Sequence, residues 1–143
     1  MRLASWEECI ESNNSIKITP DKQKANSLIE TSSDRIKNSN KELNENNANF
    51  VFEDYYSSAL ELMHAIVLIN GYNVKNHICL GFYIKNILKE EKLFLIFDDC
   101  RYKRNSLIYY GSKMDFKTAT QTIIKCKILI KELKSIIKNR LKQ

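Results

Sequence analysis

The chain has 143 residues, 43% hydrophobic and 28% charged, which fits one globular domain with a real core and excludes wholesale disorder. Only 3 Gly and 1 Pro punctuate it, too few for a chain full of β-turns, so long helices are expected. The formal net charge of +6 is unevenly spread: residues 1–100 hold 11 Lys/Arg against 15 Asp/Glu, whereas residues 101–143 hold 12 against 2. That basic end suits a nucleic-acid footprint, since cations that neutralise phosphates release counterions; a solvated face on Lys125, Lys127, Lys131, Lys134 and Lys138 is the plainer alternative.

Residues 1–18 are read as a short N-terminal helix and a connection, and residues 19–141 as a bundle, together one domain over 1–143. In residues 2–12, Leu3, Trp6 and Ile10 recur at spacings of three and four. Thr19-Pro20-Asp21 then predicts a helix start, with Thr as the cap and Pro at the first position, and the helix runs to about 38 with Ala25, Leu28, Ile29, Ser32 and Ile36 on one side. The asparagine-rich stretch after it is a helix-to-helix connection. From 50 to about 70, Phe52, Tyr55, Tyr56, Ala59, Leu62, Met63, Ile66 and Val67 repeat with helical period, and Asn70-Gly71 ends the run. A fourth helix is expected over about 74–89 and a fifth over about 90–110, closed by Gly111. The last, about 115–141, carries Ala119, Ile123, Cys126, Ile130, Leu133 and Ile137 in a heptad-like seam. No strand pattern competes, so the fold class is an all-α antiparallel up-down bundle of about five helices.

Cys9, Cys79, Cys100 and Cys126 are widely separated, with neither a C-x-x-C pair nor a histidine cluster beside them. They read as four reduced thiols packing as small apolar groups, and no metal or cofactor is expected. With no apolar leader and no membrane-length apolar run, the expected setting is the cytoplasm, away from membranes.

The fifth helix contains Asp98-Asp99-Cys100-Arg101-Tyr102-Lys103-Arg104-Asn105-Ser106-Leu107-Ile108-Tyr109-Tyr110-Gly111. Its apolar stripe steps through 93, 97 and 100, then 107 and 108, and Arg104 falls on that stripe. A guanidinium there must find partners: either a carboxylate such as Asp98 or Asp54, or an incoming anion at a cleft. Arginine suits a phosphate because its planar fork binds bidentately. Tyr55 and Tyr56 fit core packing at their spacing, with base stacking as the alternative. His64 reads as structural or solvent-facing. His77 is a helix cap, a hydrogen-bonding group, or a proton-transfer group if the fold brings it to Arg104.

The run RYKRNSLIYYG resembles the signature of HEPN domains, in which Arg and a polar residue, most often Asn, precede a histidine after four to six positions. The lead-in is similar too: an aromatic-rich helix, a short connection containing His77, the motif helix and a basic terminal helix, over about residues 20–140. The resemblance implies a helical bundle that homodimerises, bringing two motifs to a shared cleft, and an RNA-engaging function as a metal-independent ribonuclease of toxin–antitoxin type. It also implies a nucleotidyltransferase as a possible partner. Arg104 and Asn105 then take the motif positions, Tyr109 stands where the histidine is expected, and Arg101, Lys103, Tyr110 and Lys113 are the flanking RNA-binding candidates. Tyrosine titrates near pH 10 and is a poor base at neutrality, so the resemblance equally implies an inactive relative that binds RNA, a nucleotide or the nucleotidyltransferase. A plain helical dimerisation module is the third reading. Arg104 and Tyr109 are ~140° apart around a helix, which predicts that a shared site needs a distorted helix end or two protomers.

Overall fold

The computed structural model describes residues 2–141 and shows an all-α bundle. Six α-helices are present among the described residues: α1 (Trp6–Glu11), α2 (Lys22–Asn38), α3 (Ala48–Ile69), α4 (His77–Phe82), α5 (Glu91–Tyr110) and α6 (Phe116–Leu141). Side-chain pairings fix their directions. Ser32 meets Ser58 and Ser39, the C-cap of α2, meets Asp54, so α2 runs against α3. Cys100 meets Cys126 and Lys103 meets Thr122, so α5 runs against α6. Asn49 holds Met114 while Arg140 holds Asn70, so α3 and α6 are parallel.

The centre of the bundle is α3, whose buried set includes Phe52, Tyr56, Ala59, Leu62, Met63, Ile66 and Val67. A helix apolar on nearly every side belongs in a core, because no face of it gains by meeting water. The seam expected on the last helix is buried in full, from Ala119 to Ile137. Ser32, which sits among apolar neighbours, hydrogen-bonds the hydroxyl and carbonyl of Ser58, so its burial leaves no group unsatisfied. On α5 the stripe is interrupted sooner than its spacing predicts: Leu93, Phe97 and Cys100 are buried, Leu107 is partly so and Ile108 is exposed.

Four expectations are corrected. Asp21, not Thr19, caps α2, accepting from the Lys24 N–H, and the helix begins at Lys22. Two short strands exist, β1 (Ser15–Lys17) and β2 (Tyr72–Val74), paired antiparallel with Ser15 opposite Val74. Gly71 enters β2 with φ +87°, and a Cβ there would stand 3.0 Å from the Ile18 carbonyl oxygen. The single helix expected over 74–89 is instead β2, α4 and a π-helical turn at Tyr83–Ile87. Finally, the cysteines are not four thiols. Cys9 and Cys79 form a disulfide that ties α1 to α4, while Cys100 and Cys126 are free and buried, as expected of small apolar groups.

No helix among the described residues is long and apolar enough to cross a membrane.

Candidate functional site

His77 owes its position to short-range chemistry on all sides. The β1–β2 pairing fixes the chain up to Val74, and the Asn14 carbonyl then accepts from the Lys75 N–H at 2.8 Å. The Asn76 side-chain oxygen caps α4 by accepting from the Cys79 N–H at 2.8 Å, while its amide nitrogen donates to Asn14 at 3.0 Å. Two residues beyond His77, Cys79 is covalently held to α1. The imidazole therefore projects from a segment clamped by a sheet, a cap and a disulfide.

Opposite it stands α5. Arg104, Arg101, Asn105 and Tyr109 succeed one another in angular order around that helix, all within an arc of ~140°. Lys75, Asn76, His77, Ile78, Arg101, Arg104, Asn105 and Tyr109 line one surface hollow of about 310 Å³. The expectation that Arg104 and Tyr109 need a distorted helix or two protomers is thus corrected. They flank the hollow from either side, with Arg101 and Asn105 between them, and each reaches it without sharing a face.

Arg104 has no carboxylate within ion-pair distance among the described residues. Both acids suggested as its partners are engaged elsewhere: Asp98 with Arg101 at 2.9 Å, and Asp54 with the Ser39 hydroxyl at 2.8 Å. Instead, the guanidinium carbon lies 5.9 Å from the centre of the Tyr56 ring, at the edge of cation–π range. Tyr56 is buried, stacks on Phe97 at 6.0 Å between centroids, and places its hydroxyl 3.3 Å from His77 Nδ1.

The electrostatics follow from this arrangement. Burial pushes His77 down to about pKa 4, reinforced by the nearby charges of Arg104, His64 and Arg101, so the ring is neutral at pH 7. Burial raises the Tyr56 hydroxyl, against the opposing pull of Arg104 and Arg101, so it keeps its proton. His64 is half-buried on α3 and is also held down, by burial and by Lys24. No carboxylate lines the hollow; Arg104 and Lys75 reach it as cations, and Arg101 as one already paired with Asp98.

Three expected site residues lie elsewhere. Lys103 faces α6, bonded to Asp99 at 2.9 Å and to Thr122 at 3.3 Å. Tyr110 is largely exposed beyond the hollow, and Lys113 lines a separate depression with Glu45 and Glu53. Of the two tyrosines on α3, Tyr56 packs in the core as expected, and Tyr55 is half-buried beneath the Lys127 ammonium. Sequence reasoning missed Lys75, Asn76 and Ile78 in the hollow and the tie from Tyr56 to His77. Asparagine directly before the apolar His77-to-Leu80 run was a readable helix cap; the Tyr56 contact had no sequence signal.

No cluster of three or more His, Cys, Asp or Glu residues suited to a metal ion occurs among the described residues. Compared with protein-family models, with curated proteins and with solved structures, the chain matches none.

Proposed function

We propose that this chain is an RNA-engaging, HEPN-like domain that holds a backbone phosphate in the hollow between α4 and α5. The observation that carries this reading is Arg104, a partly buried guanidinium with no carboxylate at hand, bordering a hollow that Arg101 and Lys75 also line and no acid does. An arginine left without its counterion at a cleft is stabilised when an anion arrives, and a phosphate matches its bidentate donors. The resemblance of Arg104-Asn105 and the surrounding helices to the HEPN pattern supports RNA as the source of that phosphate.

Binding is favoured over cleavage. Tyr109 occupies the position of the family's histidine, and His77, the other proton-transfer candidate, is a weak base because its surroundings lower its pKa to about 4. On this reading the protein works as a homodimer, with a nucleotidyltransferase as a further partner; the Cys9–Cys79 disulfide, a bond rare in a reducing compartment, stands against the expected cytoplasmic setting. Leu95, Tyr102 and Tyr109 support the dimer, since they recur every seven residues on the outer side of α5 and are 57%, 70% and 68% exposed.

The test is anisotropy of a labelled RNA oligonucleotide at low salt, with a parallel incubation of bulk RNA in EDTA. Arg104→Ala should weaken binding about tenfold, equivalent to ~1.4 kcal/mol, and flatten the salt dependence by about one phosphate contact. Unchanged affinity in that variant refutes the hollow as the binding site; cleavage abolished by Arg104→Ala refutes the non-catalytic assignment.

A further inference from the structure

Resting on that reading, we infer that Tyr56 fixes His77 as an N–H donor, so that the hollow selects phosphoryl oxyanions and His77 cannot act as the base of a ribonuclease.

A neutral imidazole carries its proton on one nitrogen and a lone pair on the other, and the partner of one nitrogen decides the role of its opposite. Here that partner is a phenol. The Tyr56 hydroxyl is buried, and its one hydrogen-bond partner among the described residues is His77 Nδ1, at 3.3 Å. Two arrangements are conceivable. If Nδ1 carried the proton and donated to the tyrosine oxygen, the Tyr56 O–H would be a buried donor with no acceptor. If the Tyr56 O–H donates to a bare Nδ1, both groups are satisfied. The difference is the desolvation of a buried donor, which favours the second arrangement by about tenfold or more. The ring proton then resides on Nε2, the nitrogen left for the hollow.

The charges around the ring keep it in that state. Arg101 and Arg104 approach from α5 and His64 from α3, and with burial they oppose a second proton. Tyr56 retains its own proton because its burial opposes the phenolate. The hollow therefore offers the guanidinium N–H groups of Arg104, those of Arg101 that Asp98 does not use, the Lys75 ammonium and a neutral Nε2–H, with further donors on Asn105 and Tyr109. A fully deprotonated phosphoryl oxygen accepts from all of these. An ammonium at the same place would set donor against donor, and a hydroxyl, neutral and with a proton of its own to place, would accept from fewer of them. By the same logic His77 has no lone pair on the hollow side with which to take a proton from a ribose 2′-hydroxyl. Tyr56 is the positioning residue and His77 the binding one.

Long-range proton–nitrogen correlation spectra of the labelled protein at pH 7 read the tautomer directly, with His77→Gln assigning the signal. The expected result is a bare Nδ1 and a protonated Nε2, with the Nδ1–H form rising in Tyr56→Phe, which keeps the ring in its slot. A wild-type ring protonated at Nδ1, or an unchanged ratio in Tyr56→Phe, overturns the inference. Inorganic phosphate, a nucleoside 5′-monophosphate and an RNA oligonucleotide are then titrated in turn. His77→Gln, which preserves an N–H donor, should hold affinity within about threefold, whereas His77→Leu should lose about tenfold. Equal losses in the two variants overturn the donor role. RNA bound about tenfold more tightly than free phosphate supports a strand as the source, and equal affinities overturn the strand. If the tautomer is found as stated but none of the three binds, the RNA reading fails and the anion selectivity with it, while the Tyr56–His77 geometry stands.

Discussion

Breaking the Cys9–Cys79 bond should cost the protein several kcal/mol without changing its fold. The two cysteines are 70 residues apart, so reduction frees the unfolded chain from a long closed loop. In the chain-entropy account a loop of that size is worth about 4 kcal/mol at 25 °C. Unfolding entropy of ~2.1 cal/mol/K per residue gives about 0.3 kcal/mol/K for this chain, so the loss corresponds to a drop in Tm of about 13 °C. The native state has means to survive reduction. Trp6 packs edge-on against Tyr72 and Tyr83, at 5.3 and 5.0 Å, and its backbone N–H donates to the Asn86 side chain at 2.9 Å. The assay is thermal unfolding followed by far-UV circular dichroism, with and without reductant, on the wild type and on a Cys9→Ser/Cys79→Ser variant. Reductant should lower the wild-type Tm to near that of the variant and leave the variant unmoved. A wild-type shift below about 3 °C, or four alkylatable thiols in denatured, unreduced protein instead of two, would refute the reasoning.

Two other perturbations test the packing and the site. Gly81→Ala should destabilise by about 1–3 kcal/mol in chemical denaturation, because a Cβ there meets the Phe97 ring at 3.1 Å and Phe97 in turn stacks on Tyr56; full stability in that variant would show that the ring shifts freely. His77 and His64 both have folded-state pKa values below their unfolded ones, so the unfolded chain binds more protons as the pH falls. Stability should therefore decline from about pH 6.5 downward, towards the His77 value of about 4, and His77→Gln should flatten part of that slope in denaturation titrations. An identical slope in the variant would remove His77 as a contributor.

The long helices were legible because their burial obeys one period. On α6 every position of the expected seam is buried, and on α3 the same spacing predicts the core down to Leu62 and Met63. The features that escaped are non-local or too short to have a period. Each strand is three residues long, and Ser15 finds Val74 across 59 positions of sequence. The cysteines that pair are 70 positions apart, a connectivity that spacing does not encode. The π-helical turn hid inside a credible helical pattern: Ile84 is buried, yet Ile87, three residues on and so close to the same face of a regular helix, is 47% exposed, because the widened turn rotates the side chains at its far end away from the core. Thr19-Pro20 offered a plausible cap, but Asp21 directly after it does the capping.

The site divides along the same line. Arg104 was conspicuous as a cation on an apolar stripe, and that anomaly is a property of α5 alone. Its neighbours belong to other elements. Asp98 and Asp99, the nearest acids in sequence, are taken up by Arg101, Lys103 and Lys125 along and across the helices, so proximity in sequence pointed to the wrong partner. The groups set opposite α5 arrive from the β2–α4 connection and the start of α4, backed by Tyr56 of α3 and held there by Asn14 and by a covalent bond to α1. The N-terminal segment, which carries none of the hollow's lining residues, therefore sets the orientation of His77. If that clamp loosens, the imidazole and Arg104 no longer share a fixed geometry, and reduction of Cys9–Cys79 should weaken phosphate binding through His77 while leaving the contribution of Arg104, anchored on a long helix, in place.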